Sequence, residues 1–519
     1  MAREVANLPG DVPTCHQMLL DLLQTLQHRD LTIEKLAHEL AILKRHQFGR
    51  KSEKLDVGPL LPFIEEFLKA EAEGKKGEVE VPQEPQAKVE EREGHGRKKN
   101  PEHLPRERKT YEVSQEKKRC RGCGKELEKI GEEVTEELEY HPASFFVRQH
   151  VREKLACKDC QENVVLAEMP PRPVEKGIPG PGLLAHVLTS KYADHLPLNR
   201  QEGIFERHGV QISRSTLCDW VAYSADLLEP LYLEMKAEVL KSKKVHTDDS
   251  PVPVLDRDRV TTREGRLWVY VGDQDHPHTV YDFSPNHRSD APKAFLNGYR
   301  GFLQADAYVG YDAVYAGGNI IEIACWAHAR RKFFDARGSD RARSHAALAF
   351  ISRLYEVERE ARVLDAGDRK ALRQERSRPI LESFKRWLDC EASRVLPKSP
   401  IGQAVHYALG QWEALTRYIE DGLLEIDNNI AERALRRVAL GRKNWLFAGS
   451  DEGGRRAAII YSLVASAKDH GIDPFAYLRD VLERVSTHLA RDIAQLLPAN
   501  WKSFQEGIAT GKVPSTAPG

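Results

Sequence analysis

The chain has 519 residues, of which 41% are hydrophobic and 30% are charged. At about 150 residues per domain, this length predicts three or four domains. The 78 Lys and Arg and the 79 Asp and Glu leave a formal net charge of −1, so any surface that binds nucleic acid must be local. Because the sequence has no run of about 18 apolar residues and no secretory signal, we expect a cytoplasmic protein with reduced cysteines and no membrane partner.

The stretch 15–50 carries a heptad pattern. Apolar residues recur three and four positions apart, at Leu19, Leu22, Leu26, Ile33, Leu36, Leu40 and Leu43. Arg29 occupies the one polar position of this pattern. This spacing predicts a leucine-zipper-like helix, which either self-associates as a coiled coil or packs on its own chain. Residues 51–108 are rich in Glu, Lys, Pro and Gly and have little to bury, which predicts a disordered linker.

Two CxxC pairs lie in the region 109–172. They are formed by Cys120 and Cys123, and by Cys157 and Cys160. Each CxxC turn brings two thiolates to one side, so two turns can complete a tetrahedral Zn²⁺ site of four cysteines. The alternatives are two unrelated turns or a redox pair, but redox chemistry needs only one CxxC beside a βαβ pattern. We therefore predict a small module with structural zinc, and interpret Cys325 as an ordinary small apolar residue.

Residues 178–235 have the pattern of a helix-turn-helix. Pro197 is expected to start a helix that ends near Arg207. Gly209 can supply a left-handed stop, and Ser213 can cap the next helix. The first turn of that helix, which would meet base edges of DNA, contains Arg214, Ser215 and Thr216. The alternative is a structural helical hairpin, because the stretch is close to charge-neutral.

From residue 243 the sequence changes to short runs rich in β-branched and aromatic residues. Five candidate strands lie in KKVHTDDSPVPVL, GRLWVYVGD, HTVYDF, GFLQADAY and NIIEIACW. Together with a helix-like stretch before the fourth run, they predict an α/β core with a mixed sheet over residues 243–340. Residues 341–422 are predicted to be wholly helical, and 423–490 to form a final helical part. We expect the tail after Pro498 to be loose.

Three acidic residues are candidate metal ligands. Asp248 lies in the first candidate strand, Asp306 at the end of the fourth, and Glu432 on a helix. Such a set can hold two Mg²⁺ ions about 3.5–4 Å apart, which activate an attacking oxygen and stabilise a leaving one in phosphoryl displacement. Asp249 is the rival of Asp248, and periodicity does not choose between them. The alternative is that both aspartates only end strands at turns.

Basic residues surround these candidate acids. Between residues 430 and 456 there are seven Lys or Arg and three acids, and CWAHARRKFFDARGSDRAR adds six more Lys or Arg. Cations at this density can grip a DNA backbone, and Trp445 or Phe447 can stack on a base. The candidate DNA contacts in this part are Arg436, Arg442, Lys443 and Trp445. A solvated basic helix is the alternative interpretation.

Taken in order, these motifs resemble the transposases of the insertion sequence 66 family, which are encoded by bacterial mobile elements. The resemblance runs from FGRKSEKL and the CxxC pairs through KYADHLPLNRQE, HTDDSPVPV, QADAYVGY and CWAHARRKF to DNNIAERALRRVALGRKNWLFAGSDEGG. It implies an RNase H-like core with a DDE triad. In TDDSP the first acid would be Asp248, in QADAY the second would be Asp306, and in DNNIAER the third would be Glu432. The helical stretch before Glu432 would then be an insertion.

The resemblance implies a DNA transposase that binds the terminal inverted repeats of its element. Two Mg²⁺ ions on the triad would serve strand cleavage and then strand transfer into target DNA. The expected partners are DNA, further copies of the chain on that DNA, and small accessory proteins of the same element. Two other functions remain open: a zinc-containing DNA-binding regulator without catalysis, and an RNase H-like nuclease without strand transfer.

Overall fold

The structure is a computed structural model in which residues 179–509 are described, apart from residue 257. Towards the N-terminus the described residues are 16–17, 19–26, 29, 32–33, 36, 145–147, 154–155, 165–166 and 172–174. Contacts divide the chain into two units, one formed by Met1–Gln83 with Arg152–Gly519 and the other by Glu84–Val151. All the helices and strands that the structure describes lie in the first unit.

The predicted N-terminal helix is present wherever the structure describes it. The described residues between 16 and 36 are all helical. Their apolar side chains are exposed, for example 61% for both Leu22 and Ile33. The predicted linker 51–108 and the cysteines of both CxxC pairs lie outside the described residues. Two strands of two residues each, Lys154–Leu155 and Val165–Leu166, pair antiparallel on either side of the second pair.

Three helices precede the sheet: α1 (Pro181–Tyr192), α2 (Leu198–Arg207) and α3 (Arg214–Val239). The predicted signals act as expected. Pro197 is the N-cap of α2, and Gly209 has a φ of 75°, the left-handed conformation that ends a helix. The Ser213 hydroxyl accepts a hydrogen bond from the Thr216 N–H at 3.2 Å and so caps α3.

Five strands form the predicted mixed sheet: β1 (Lys244–Val254), β2 (Arg263–Val271), β3 (Thr279–Ser284), β4 (Gly301–Gln304) and β5 (Ile320–Ile323). Their order across the sheet is β3-β2-β1-β4-β5. The first three are antiparallel neighbours, whereas β4 and β5 run parallel to β1. Two short helices lie on the connections, α4 (Asp290–Phe295) and α5 (Asp312–Tyr315), the latter preceded by a 3-10 turn at Val309–Tyr311.

Beyond its first residues, β1 has a neighbouring strand of the sheet on one side only. β1 pairs with β2 as far as Val254 but with β4 only from Lys244 to His246. Pro251 and Pro253 fall in the open part. Proline has no N–H, and it is tolerated there because no neighbouring strand requires a hydrogen bond from that position. The open edge leaves room beside the candidate acid on β1.

The stretch after the sheet is helical, as predicted. It contains α6 (Trp326–Ala336), α7 (Arg341–Ala361), α8 (Ala366–Leu372), a π-helical turn (Arg373–Ser377), α9 (Arg378–Ala392), α10 (Pro400–Gly410), α11 (Trp412–Thr416) and a 3-10 turn (Arg417–Ile419). These helices bury their own apolar cluster around Trp326, Phe350 and Phe384. They therefore form a body with its own core.

Four helices complete the chain, with a 3-10 segment before the last: α12 (Asn429–Trp445), α13 (Asp451–Asp469), α14 (Pro474–Arg484), the segment Ala490–Leu496 and α15 (Pro498–Ala509). The expectation of a loose tail after Pro498 is wrong as far as Ala509, and residues 510–519 lie outside the described residues. Proline is favoured in the first turn of a helix, and here it begins α15. Phe504 is buried in the main core, and the Trp501 Nε1 donates to Asp480 at 2.9 Å. No helix among the described residues is long and apolar enough to cross a bilayer.

The main core is continuous from the first helices to the last. One cluster of buried side chains joins α1 to α3 with the sheet and with α12 to α15. Ion pairs also tie α3 to α13, where Arg455 contacts Glu229 at 2.7 Å and Asp226 at 3.3 Å. The longer helix of the predicted helix-turn-helix, α3, thus packs on the sheet and on α13.

Candidate active site

Two of the three predicted acids come from neighbouring parallel strands. The register pairs His246 of β1 with Gln304 of β4. Asp248 follows two residues later in β1, and Asp306 follows two residues beyond the end of β4, near enough for its charge to raise the pKa of Asp248. Asp306 lies just after β4 and accepts a hydrogen bond from the Tyr308 N–H at 3.2 Å. The two carboxyl groups therefore project beside each other at the carboxyl end of β4.

The electrostatics show that these acids are crowded. Burial raises the pKa of Asp248 to about 7, and the carboxylates of Asp306, Asp249 and Glu432 add to the rise. Burial also raises the pKa of Asp306, against the lowering effect of His328 and of the Tyr308 N–H. Negative charges held this close in partly buried surroundings are costly unless a cation compensates them.

Glu432 is positioned through Asn428, the residue just before α12. The fully buried Asn428 side chain donates from Nδ2 to the Thr247 carbonyl at 2.8 Å, immediately before Asp248. Its Oδ1 lies 3.1 Å from His246 Nδ1. Because burial lowers the pKa of His246 to about 3, that ring is neutral, and Nδ1 must carry the proton to donate to Oδ1. One amide thus fixes the start of α12 against β1.

The first turn of α6 holds the same junction from the other side. Cys325 is buried, and its Sγ accepts a hydrogen bond from the Asn428 N–H at 3.2 Å. Three residues later, His328 Nε2 lies 3.8 Å from Glu432 Oε1. Among the described residues, the ligand atoms of Cys325, His328 and Glu432 all lie within 4.8 Å of one another. The interpretation of Cys325 as an ordinary apolar residue overlooked this contact.

Asp249 has different partners from Asp248. Its carboxylate lies 3.0 Å from Arg266 Nη1 and 3.1 Å from His287 Nε2, and its side chain is 10% exposed. The His287 ring stacks on Tyr308, with 4.0 Å between the ring centroids. Asp249 is therefore paired with Arg266 of β2. Through His287, which stacks on Tyr308, it also supports the loop that carries Asp306. This pairing leaves Asp248 as the acid of the two that lacks a basic partner in the described part of the chain.

The predicted DNA contacts on α12 divide into two groups. Arg436 and Lys443 are exposed, and neither has an ion-pair partner among the residues that the structure describes. Arg442 instead donates to the Pro251 carbonyl on the open edge of β1. Trp445 is half-buried and donates from Nε1 to the Tyr461 hydroxyl at 3.3 Å. Arg442 and Trp445 thus hold α12 in place, whereas the side chains of Arg436 and Lys443 extend into solvent.

The candidate recognition residues lie at the exposed start of α3. The side chains of Arg214 and Ser215 are exposed, and that of Thr216 is half-buried. The Arg214 backbone N–H donates to Glu202 Oε1 of α2 at 2.8 Å, which joins the two helices. These three residues lie far from the acids in sequence, but the buried side of α3 belongs to the same apolar core as the sheet and α12.

A family model described as the Transposase IS66 family matches residues 176–456, more than half of the chain. The chain belongs to this family. Three further family models match: the zinc-finger binding domain of transposase IS66 over residues 117–161, the IS66 C-terminal element over 462–499, and Transposase C of IS166 homeodomain over 35–108. The resemblance drawn from the sequence motifs is confirmed.

Relatives of this IS66 transposase occur in Sinorhizobium fredii (strain NBRC 101917 / NGR234). "Uncharacterized protein y4hP" is 38% identical over 430 residues, which cover 78% of this chain and 77% of that protein. "Uncharacterized protein y4qI" is 33% identical over 549 aligned positions, which cover 97% of this chain and 99% of that protein. The similarity therefore extends over nearly the whole length of the second relative.

Some site residues of this IS66 transposase escaped the sequence interpretation. No role in the site is predicted from the sequence for His246, Cys325, His328 or Asn428. All four lie in motifs that carry the resemblance, namely HTDDSPVPV, CWAHARRKF and DNNIAERALRR. The motifs themselves were the available signal, but the pairing of their side chains depends on tertiary contacts.

Proposed function

We propose that this IS66 transposase cleaves and joins DNA strands through a DDE site formed by Asp248, Asp306 and Glu432. The observation that carries the proposal is the gathering of partly buried carboxylates at the end of β4: burial raises the pKa of Asp248 to about 7, and the charges of Asp306, Asp249 and Glu432 add to the rise. The mixed sheet with a helical body inserted before α12 supports an RNase H-like core. Nearby exposed cations on the acid-bearing helix support a DNA substrate.

The donor chemistry of this site fits Mg²⁺. Carboxylate oxygens are the ligands that Mg²⁺ prefers, and it keeps water or phosphate oxygens in its remaining positions. Asp248, Asp306 and Glu432 would hold the ions. Cys325 does not belong to this set, because its buried sulfur already accepts the Asn428 N–H and a thiol is a poor ligand for a hard cation. When bound, the ions would supply activation of the attacking oxygen and charge stabilisation of the leaving one.

The chain's own residues would align the DNA for two displacements at phosphorus. In the first, water attacks a phosphate at the element end and a 3′-OH leaves. In the second, that 3′-OH attacks a target phosphate and a target 3′-OH leaves. Arg436 and Lys443 would hold the backbone by contacts to phosphate. No covalent bond between protein and DNA is required, because each step is a direct displacement.

Recognition of the terminal inverted repeats is assigned to the remaining parts of the chain. Arg214, Ser215 and Thr216 would meet base edges from the first turn of α3. The match of a zinc-finger model to residues 117–161 supports a structural Zn²⁺ on Cys120, Cys123, Cys157 and Cys160. The helix in 15–50 would join copies of the chain on DNA, and small accessory proteins of the element would be additional partners.

The test is cleavage and joining of a labelled terminal-repeat duplex in Mg²⁺, with EDTA as the metal-free control. Asp248→Ala, Asp306→Ala and Glu432→Ala should each abolish both reactions while leaving binding to the DNA end, because each removes a metal ligand from the site. Asp249→Asn is the matched control. It keeps hydrogen-bonding capacity towards Arg266 and should retain partial activity.

Three outcomes would contradict the proposal in different ways. Normal activity of Glu432→Gln would remove the metal assignment, because glutamine keeps the size of the side chain without its charge. Cleavage by the wild-type chain without joining would indicate a nuclease. Binding to DNA ends without either reaction would indicate a zinc-containing regulator.

A further inference from the structure

The end of α12 carries a strained turn centred on Leu446. This residue has φ 63° and ψ −47°, and the Phe447 N–H donates across it to the Trp445 carbonyl at 2.8 Å. Together these features define a γ-turn of the rare, strained form. Among the described residues, only His195 and Leu446 combine a positive φ with a side chain. A leucine held in this conformation points to a role for its position, because glycine would relieve the strain.

The turn is anchored firmly on both sides. The Leu446 N–H donates to the Arg442 carbonyl at 2.9 Å, and the Ala448 N–H donates to the Pro253 carbonyl at 2.8 Å. The Leu255 N–H donates back to the Ala448 carbonyl at 2.9 Å, which completes a parallel bridge between this segment and the end of β1. The strained turn is thus held by the same strand that carries Asp248.

The anchored turn presents apolar side chains to solvent. Leu446 is 62% exposed and Phe447 is 42% exposed. Trp445, next to them, is turned inward instead. Its Nε1 bonds Tyr461 because Gly441 leaves room, since a Cβ at that glycine would lie 2.8 Å from both groups. The tip therefore consists of Leu446 and Phe447 on a fixed support.

A row of positive charge leads along α12 to this tip. Arg433, Arg436, Leu440 and Lys443 are spaced three, four and three residues apart, so they share one face of the helix. All four are exposed, and Glu432 lies beside the first of them. An apolar tip at the end of a cationic row complements a nucleic acid, which combines phosphates outside with stacked bases inside.

We infer that Leu446 and Phe447 form a wedge that enters the base stack of DNA lying along α12. The inference rests on the proposed function and adds a site of DNA distortion to it. Leucine and phenylalanine are side chains that proteins insert between base steps to unstack and kink a duplex. A rigid backbone support suits this role, because a flexible turn would move away before the base stack opened.

The distance between wedge and acids sets where the distortion falls. Leu446 follows Glu432 by 14 positions, which at 1.5 Å per residue is about 21 Å along the helix axis. Val254, bridged to Ala448, follows Asp248 by six positions on β1, or about 20 Å. At about 3.4 Å per base step, the unstacked step lies about six base pairs from the scissile phosphate.

The experiment uses the full chain and terminal-repeat duplexes with 2-aminopurine at successive positions, because this base becomes fluorescent when it unstacks. The wild-type chain should raise fluorescence at a step about six base pairs from the cleavage point. Leu446→Gly combined with Phe447→Ala should abolish that rise while retaining most of the affinity, because the cations remain. Glycine also suits the backbone at 446, and a thermal melt checks that the variant folds. Leu489→Ala, which removes a similarly exposed apolar side chain (53%) outside α12, is the matched control and should behave as wild type.

Cleavage provides the second readout. The double variant should lose about tenfold or more in rate on an intact duplex, and a mismatch or abasic site at the distorted step should restore the rate, because a pre-opened step needs no wedge. Binding of wild-type chain without a fluorescence rise at any position would overturn the inference, whether or not cleavage occurs. A rise that persists in the double variant would also overturn it and assign the tip to a protein partner. Failure of the proposed function is distinct: the wild-type chain would then unstack the step but neither cleave nor join.

Discussion

At the scale of single residues, the charge of Asp248 makes the metal-free site a source of instability. Its pKa rises from 3.8 to about 7 in the folded chain. Between these two values the folded state binds a proton that the unfolded state has released, so stability falls as the pH rises from about 4 to 7. The full cost, present above pH 7, is of the order of 4 kcal/mol at about 1.4 kcal/mol per pKa unit.

Asp248→Asn should therefore raise the melting temperature of the EDTA-treated protein at pH 8. It should have little effect near pH 4, where the native carboxyl is already protonated. Mg²⁺ should stabilise the wild-type chain at pH 8 more than the variant, because the cation removes the same repulsion. Asp249→Asn is the control, and it should lower the melting temperature at pH 8 because it breaks the ion pair with Arg266. Calorimetric scans would contradict the argument if Asp248→Asn melted below wild type at pH 8.

At the scale of elements, α12 depends on Asn428 for its place against β1. Asn428→Ala would leave the Thr247 carbonyl and the His246 Nδ1–H without their partner, at a cost of about 1–3 kcal/mol. The helix start should then loosen and Glu432 should lose its alignment. We expect a lower melting temperature and, in addition, a weaker apparent affinity for Mg²⁺ in titration calorimetry.

The matched control is Asn444→Ala, which removes an amide from the other end of α12. The Asn444 side chain accepts from Arg200 and donates to the Leu440 carbonyl, both at 3.4 Å and away from the acids, and its loss should leave Mg²⁺ affinity unchanged. If Asn428→Ala lowered stability without any change in Mg²⁺ affinity, Asn428 would be structural only and would not position Glu432.

The elements themselves were largely predictable because their signals are local. Short runs rich in β-branched and aromatic residues located the five strands of the mixed sheet, and Pro197, Gly209 and Ser213 marked the boundaries of α2 and α3. The tail after Pro498 was misjudged because its helix depends on burying Phe504 in a core formed by distant residues. Likewise, nothing in the spacing of Cys325 and Asn428 shows that one bonds the other, since more than 100 positions separate them. Periodicity indicates which face a residue occupies, but the partner on that face is set by tertiary packing.

At the scale of the whole molecule, the proposed recognition helix and the acids belong to one packed body. α3 contributes buried side chains from Leu217 to Val239 to the same core as the sheet and α12. Its exposed first turn is therefore held in a fixed relation to Asp248 and Asp306. A DNA end read by Arg214 would be presented to the acids without a hinge between α3 and the sheet.

Arg214→Ala tests this arrangement. If the guanidinium contacts a base, the variant should lose about 1–3 kcal/mol of discrimination between terminal-repeat and random DNA in gel-shift titrations. Its melting temperature should not change, because the side chain is exposed. Arg207→Ala, which removes an exposed arginine at the end of α2, is the matched control and should lower affinity for both DNAs equally or not at all. Equal loss on both DNAs for Arg214→Ala would mean that Arg214 contacts only phosphate. No loss on either would move end recognition away from α3, and the four-cysteine module would then be the part of the chain to test.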